Sequence, residues 1–307
     1  MKDFINGLSR RFSFSSIAIA LLVSWSAVSA QDEQGAEGAS KGVILIAAKE
    51  GEAKFSRGGK ALPAEETEAN DALGEGVLIE TGADGKVTLL FSNGTVSTVG
   101  PSTKLTLKEF SQEKFDAAGR SMGELEEEPS LSNVKLSLDF GNLIIGTKKL
   151  NKESSFEVES VVGTAGIRGT QFQVAQPQGG GFSLDVAEST VAFTPKGAAN
   201  PVAVNNGNGL DVAAAGGALA PRPINPAVAQ AITQTNAGAF ALTANVSLNV
   251  VTAKMDEAGS GEGSDSEEGG EEGGEEGSDD SGGDEGGGDD SGDSGGDGGG
   301  DSSVAAP

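Results

Sequence analysis

Short apolar runs, each closed by turn residues, fill the middle of the chain. Residues 43–46 form one compact run, and Val77, Leu78 and Ile79 follow Gly74 and Gly76. Val87, Leu89 and Phe91 alternate with Thr88 and Leu90, and Val96, Val99, Leu105 and Leu107 come next. After an acidic gap, Val134, Leu136, Leu138 and Phe140 alternate with Lys135, Ser137 and Asp139, and Leu143, Ile144 and Ile145 follow Gly141. The alternation returns at Phe156 and Val158, Phe172 and Val174, Phe182, Leu184 and Val186, Val191 and Phe193, Val202 and Val204, and Leu210 and Val212. Period-two alternation over short stretches is the signal of strands with one buried face. Asn93-Gly94 lies between two such runs and suits the positive φ angles of a tight hairpin. Asp84-Gly85 has the same role in the preceding connection, so residues 79–99 read as a three-stranded meander. Asn205-Asn206-Gly207 marks a further turn. Strands at about 8–12-residue spacing predict an all-β fold of many short strands, sandwich-like, solenoid-like or a barrel.

Two stretches break this rhythm. Residues 109–130, with Glu124, Glu126, Glu127, Glu128 and Pro129, read as a solvated loop or insertion. From Asn225-Pro226 the period changes, with Asn as helix cap and Pro at the first helical position. Ala, Val and Ile then recur at helical spacing to about Thr235, where Gly238 is expected to interrupt. Phe240, Leu242, Val246, Leu248 and Val250 fit a second helix or a last strand.

The ends differ from the body. Arg10 and Arg11 close a basic segment, residues 17–25 are apolar except for Ser24, and Val28-Ser29-Ala30 offers small residues before Gln31. That order predicts a secretory signal cleaved after Ala30. The competing membrane anchor reaches spanning length only by including six serines. Residues 255–307 hold 19 Asp and Glu with no Lys or Arg, amid Gly and Ser. Such a tail cannot bury a core and is expected to stay disordered and extended. It lacks the apolar residue of calcium-binding β-roll repeats and the closing Glu of an EF-hand loop. A solvating spacer is the reading preferred here, with weak divalent-cation binding as its competitor. The expected division is a signal at 1–30, a polar leader at 31–40, a β-domain at 41–220, a helical or mixed segment at 221–254 and the acidic tail at 255–307.

Composition narrows the chemistry. The net charge is −25, most of it in the tail. An acidic protein without a basic patch repels phosphate backbones and anionic lipid, which argues against nucleic-acid binding. Cys, His and Tyr are absent, which removes disulfides, cysteine nucleophiles, Ser-His-Asp triads and the usual zinc ligands. The only Trp, Trp25, lies in the signal. Paired carboxylates remain the best enzymatic option, but Glu109, Asp139, Glu157 and Asp185 read as residues on polar strand faces. The expectation is a protein that is not an enzyme and needs no cofactor or metal.

Two runs resemble the FecR domain, a periplasmic family. The first contains Thr81, Gly82, Asp84 and Gly85, followed by Asn93, Gly94 and Thr95, then Gly100-Pro101 and Leu105. The second runs from Phe156 through Gly163, Gly166, Arg168, Gly169 and Thr170 to Phe172. Together they span about residues 42–212. The resemblance implies a β-rich, solenoid-like fold that makes protein contacts. Its best-known members have a cytoplasmic segment and one membrane span, and they sit between an outer-membrane transporter and a sigma factor. About 16 residues precede the apolar run here, too few for a cytoplasmic regulatory domain, so the chain is more similar to stand-alone exported members. The partner implied is another envelope or extracellular protein, in the periplasm or outside, with no membrane span after signal cleavage. The alternative is a matrix or adhesin-like structural protein with a weakly calcium-binding tail.

Arg168 is the one basic residue inside the second motif. Its guanidinium offers a bidentate fork to a partner carboxylate. The competing and preferred role is an internal pair with Glu157, Glu159 or Asp185 across adjacent strands. Gly163, Gly166 and Gly169 are expected to serve turns rather than cradle phosphate, since β-type runs flank them on both sides.

Overall fold

The computed structural model describes residues 39–213, 219 and 221–260; the expected signal and nearly all of the acidic tail lie outside them. Among these residues the chain opens with β1 (Ala39–Lys41), β2 (Ile44–Glu50), β3 (Ala53–Arg57), β4 (Lys60–Ala61), β5 (Ala72–Leu73) and β6 (Val77–Thr81). The hairpin of β7 (Lys86–Phe91) and β8 (Val96–Val99) precedes β9 (Lys104–Glu113) and the long β10 (Ser132–Gly146). Four pairs follow: β11 (Ser155–Ser160) with β12 (Gly163–Ile167), β13 (Gln171–Gln176) with β14 (Phe182–Glu188), β15 (Thr190–Pro195) with β16 (Val202–Asn205), and β17 (Asn208–Val212) with β18 (Pro221–Pro223). Helices α1 (Pro226–Thr243) and α2 (Leu248–Ser260) close the described chain.

Hydrogen bonding sorts the strands into two curled sheets. Sheet A runs β4-β3-β6-β9-β10-β11-β12-β15-β16, with β1 also beside β9. Sheet B runs β5-β2-β7-β8-β10-β13-β14-β17-β18. Every pair is antiparallel except β10 with β11. The four late pairs fall alternately on A and B, so the chain winds as stacked hairpins. This is the expected strand-rich, solenoid- and sandwich-like class, with a short helical segment at its C-terminal side.

The alternation read from the sequence supplies the core between the sheets. In sheet B, Val87, Val99, Leu143, Val174, Leu184 and Leu210 stand opposite one another in a continuous row, all fully buried. Sheet A answers with Val158, Ala165 and Phe193 in one row and Phe55, Ile79, Leu105 and Leu138 in another. Phe91 of sheet B meets Phe110 and Phe156 of sheet A at ring separations of 5.6 and 5.7 Å, and Phe182 stacks on Phe193 at 5.0 Å. Burying each large side chain contributes about 1.5–3 kcal/mol.

The outer face of sheet B is covered as well. Leu45, Leu90 and Val96 lie under Ala239, Leu248, Val251 and Met255 of the helices, so β7 and β8 are buried on both sides. Asn225 caps α1 by accepting the Ala227 N–H at 2.9 Å, with Pro226 at the first position, as expected. The helix does not break at Gly238. Its buried stripe is Ile232, Asn236, Ala239 and Thr243, and Gly238 lies off that stripe. Phe240 and Leu242 belong to α1, and the second helix begins only at Leu248. It continues to Ser260 with Met255 buried, so the first residues assigned to the tail are helical and packed.

Two further expectations are corrected. Residues 79–99 are not a meander: β6 pairs with β3 and β9 in sheet A, whereas β7 and β8 pair in sheet B. Asp84-Gly85 lies where the chain crosses between layers, because a tight turn serves a crossing as well as a hairpin. Nor is 109–130 simply solvated. β9 extends to Glu113, and Ala117, Met122 and Leu125 are buried against the helices. Met122 N–H and Gly123 N–H donate to Val246 and Ala244 carbonyls at 2.9 Å each, and Leu248 N–H donates to Arg120 at 2.9 Å.

β10 belongs to both sheets. Its first half pairs with β9 and β11, and residues 141–146 pair with β8 and β13. The change comes at Gly141, whose φ is +110° and where a Cβ would collide with the Thr103 Cα, Cβ and hydroxyl. Gly141→Ala should therefore combine backbone strain with overpacking and lose about 3 kcal/mol, read as a lower denaturant midpoint in equilibrium unfolding.

Candidate functional site

Most of the motif residues hold the fold. Thr81 is buried; its hydroxyl donates to the Gly100 carbonyl at 2.6 Å and accepts Thr103 N–H at 2.9 Å. Gly82 N–H bonds to the Glu52 carbonyl at 2.9 Å, the Asp84 carboxylate receives Glu52 N–H at 3.4 Å, and Gly85 abuts the Glu52 carbonyl so closely that no Cβ fits. Asn93, fully buried, accepts Thr95 N–H at 3.0 Å within the β7–β8 turn and donates to Ser132 at 3.1 Å, while Gly94 takes φ +85°. Thr170 and Thr147 are joined by three hydrogen bonds, and Phe172 is a core ring. The three glycines of the second motif do not all make turns. Gly163 and Gly166 lie within β12, Gly163 pressed on the Thr194 carbonyl, and only Gly169 turns the chain, at φ +74°.

Arg168 is the exception, for its side chain is exposed. The internal pairing does not form. Asp185 is taken by Arg222, Glu159 by Lys108 at 2.5 Å, and no ion pair joins Arg168 to Glu157 among the described residues. Elsewhere on the outer face of sheet A lysines are matched across strands, Lys104 to Glu80 and Asp139, Lys108 to Glu159, and Lys135 to Glu109, while Lys54 pairs with Glu52 two positions before it. Arg168 instead borders a groove of about 430 Å³ on that face. Glu157, Gly166 and Ala192 lie opposite one another across β11, β12 and β15, and the small side chains of the last two leave the groove open. Ser155 and Thr190 stand at its sides. An unpaired guanidinium above a floor with little side chain can receive a carboxylate carried by an extended segment.

Sequence reasoning missed Arg222 and misplaced Asp185, which is buried rather than on a polar face. The Arg222 guanidinium donates to Asp185 at 2.7 and 3.4 Å and to Asp211 at 2.5 and 2.8 Å, tying β14, β17 and β18 together. These hydrogen bonds hold the Asp211 carboxyl below its ordinary range. The partners stand 11 and 37 positions away from Arg222, so no local spacing announces the cluster.

Residues 77–192 match the model of the family described as FecR protein, a region from β6 into β15 that contains every motif residue named above. No curated protein matches the chain. Two crystal structures of a candidate anti-sigma factor from Parabacteroides distasonis ATCC 8503, at 1.65 and 2.50 Å, are similar over 51% of this chain and 62% of that one. Identity is 13% in both, with TM-scores of 0.39 and 0.38. The chain thus spans less than two thirds of those relatives, and a likeness this loose carries no argument about partners.

Arg222→Leu should strand the buried Asp185 carboxylate and cost about 2 kcal/mol, discounted for the partial exposure of the guanidinium. Because the Asp211 carboxyl is depressed in the folded state, its share of that loss is complete above the ordinary Asp value of 3.8 and fades as pH falls below it. Urea unfolding of both proteins across pH 7 to pH 3 reads the predicted convergence.

Proposed function

We propose that this protein is an exported, non-catalytic, FecR-like module that acts by holding another envelope or extracellular protein in the groove beside Arg168. The observation that carries the reading is an exposed arginine, set within the family-matched region, that has no ionic partner among the described residues on a sheet face where Lys104, Lys108 and Lys135 are paired. A guanidinium kept free costs nothing in desolvation until a partner carboxylate arrives, and the bidentate pair formed then is directional. The layered core fixes the groove floor, since β11, β12 and β15 are held from beneath by Val158, Ala165 and Phe193. The signal and tail of the sequence analysis complete the proposal, as the route of export and as a solvating spacer. No helix among the described residues is long and apolar enough to cross a membrane.

The test is stoichiometric capture of one protein from the native cell envelope at moderate salt. Arg168→Ala should weaken capture at least tenfold, Arg168→Lys should recover only a fraction of it, and removal of residues 261–307 should leave it intact. Absence of any stoichiometric partner, with self-association that needs both Ca²⁺ and residues 261–307, would instead establish the matrix-type alternative.

A further inference from the structure

The outer face of sheet B is only partly covered by α1, and the uncovered area forms a second cleft of about 470 Å³. Its floor is a straight row across four strands: Ala48 of β2, Thr88 of β7, Thr98 of β8 and Ile144 of β10. The neighbouring row on one side, Leu45, Leu90 and Val96, is sealed by the helices. On the other side Glu50 and Lys86 pair at 2.7 Å on the rim. The wall is α1, presenting Gln234, Gly238 and Leu242, of which Leu242 is 53% exposed.

Two observations point to a cleft left open for a ligand. Thr88 and Thr98, both 6% exposed and adjacent on the floor, have hydroxyls with no partner among the described residues. Gly238 sits inside a helix, where glycine is disfavoured, yet an added Cβ would meet nothing within 4 Å. The fold therefore does not require glycine at that position; its effect is to keep the wall open.

We infer that this cleft is a binding site for an uncharged, extended peptide segment with small side chains. A main chain supplies carbonyls for the threonine hydroxyls and the Gln234 amide. Ala48, Ile144 and Leu242 offer apolar contact for alanine- or serine-sized side chains. The ligand carries no net charge, because the one cation lining the cleft is already neutralised by Glu50 and residues 226–253 of the wall segment contain no charged residue. No aromatic ring lines the cleft, which removes the flat surface on which a sugar ring stacks. The site is on the opposite sheet from the Arg168 groove and does not depend on it.

The experiment is an NMR titration of the whole protein with the blocked peptide acetyl-Ser-Ala-Thr-Ala-amide. Acetyl-Glu-Ala-Glu-Ala-amide and chitobiose serve as the comparison ligands. The expected result is saturable binding of the neutral peptide alone, with shifts at Thr88, Thr98 and Gly238. Gly238→Leu should weaken it at least tenfold, and Thr98→Val severalfold. Gly238→Ala should raise Tm by about 2–4 °C while weakening binding, a split that a purely structural role for the glycine does not produce. Failure of the neutral peptide to saturate, saturation by a comparison ligand alone, or affinity unchanged in a folded Gly238→Leu protein would overturn the assignment.

Discussion

A single strand shared by two sheets is the constraint on which the rest of this structure depends. β10 gives its first half to sheet A and its second to sheet B, and it is hydrogen-bonded to β8, β9, β11 and β13. Among the described strands, the early ones and the later hairpins are joined by backbone pairing only through it. Because a strand's backbone offers bonds to both sides, one continuous chain can fix the registers of both sheets at once. It does so only if it turns between layers without a side chain at Gly141, where Thr103 closes in and completes the joint by accepting Asn142 N–H at 3.0 Å.

The start of β10 is anchored by a buried polar network. Glu128 is 3% exposed, and it accepts from the Ser132 hydroxyl at 2.7 Å, from Asn151 N–H at 2.5 Å and from the Ser154 hydroxyl. Ser132 in turn accepts from Asn93, so the turn of the first FecR-like motif is wired to the strand that joins the sheets. Neighbouring Ser92 donates to Gln112, which donates to Ser130 at 3.1 Å. Networks of this kind stabilise only when their members are satisfied, which accounts for several polar residues in a region otherwise filled by apolar side chains.

This division of labour separates folding from recognition. Thr81, Gly82, Asn93 and Phe172 are consumed by turns, crossings and core. Arg168 shares their motif but not their burial. The two surfaces differ in chemistry as well. Sheet A shows a ladder of cross-strand ion pairs interrupted by small residues, whereas sheet B shows hydroxyls and amides beneath an uncharged helix.

The sequence by itself determined the strands, because period two marks a half-buried strand wherever one face meets a core. It also determined the β7–β8 turn, the cap at Asn225 and the FecR-like motifs, since each is written in adjacent residues. It misread residues 79–99, since inward-facing residues alternate alike whichever sheet a strand joins. It read Glu128 and its neighbours as solvated, because the serines that accept burial of that carboxylate come from β10 and from the loop before β11. Asp185 and Arg222 stand 37 positions apart and find each other only when β14, β17 and β18 align. Whether Arg168 is paired, and whether Gly238 breaks a helix or opens a cleft, was decided by which neighbours the tertiary structure placed beside them. Pairing and packing depend on distance in space, which no local pattern of residues encodes.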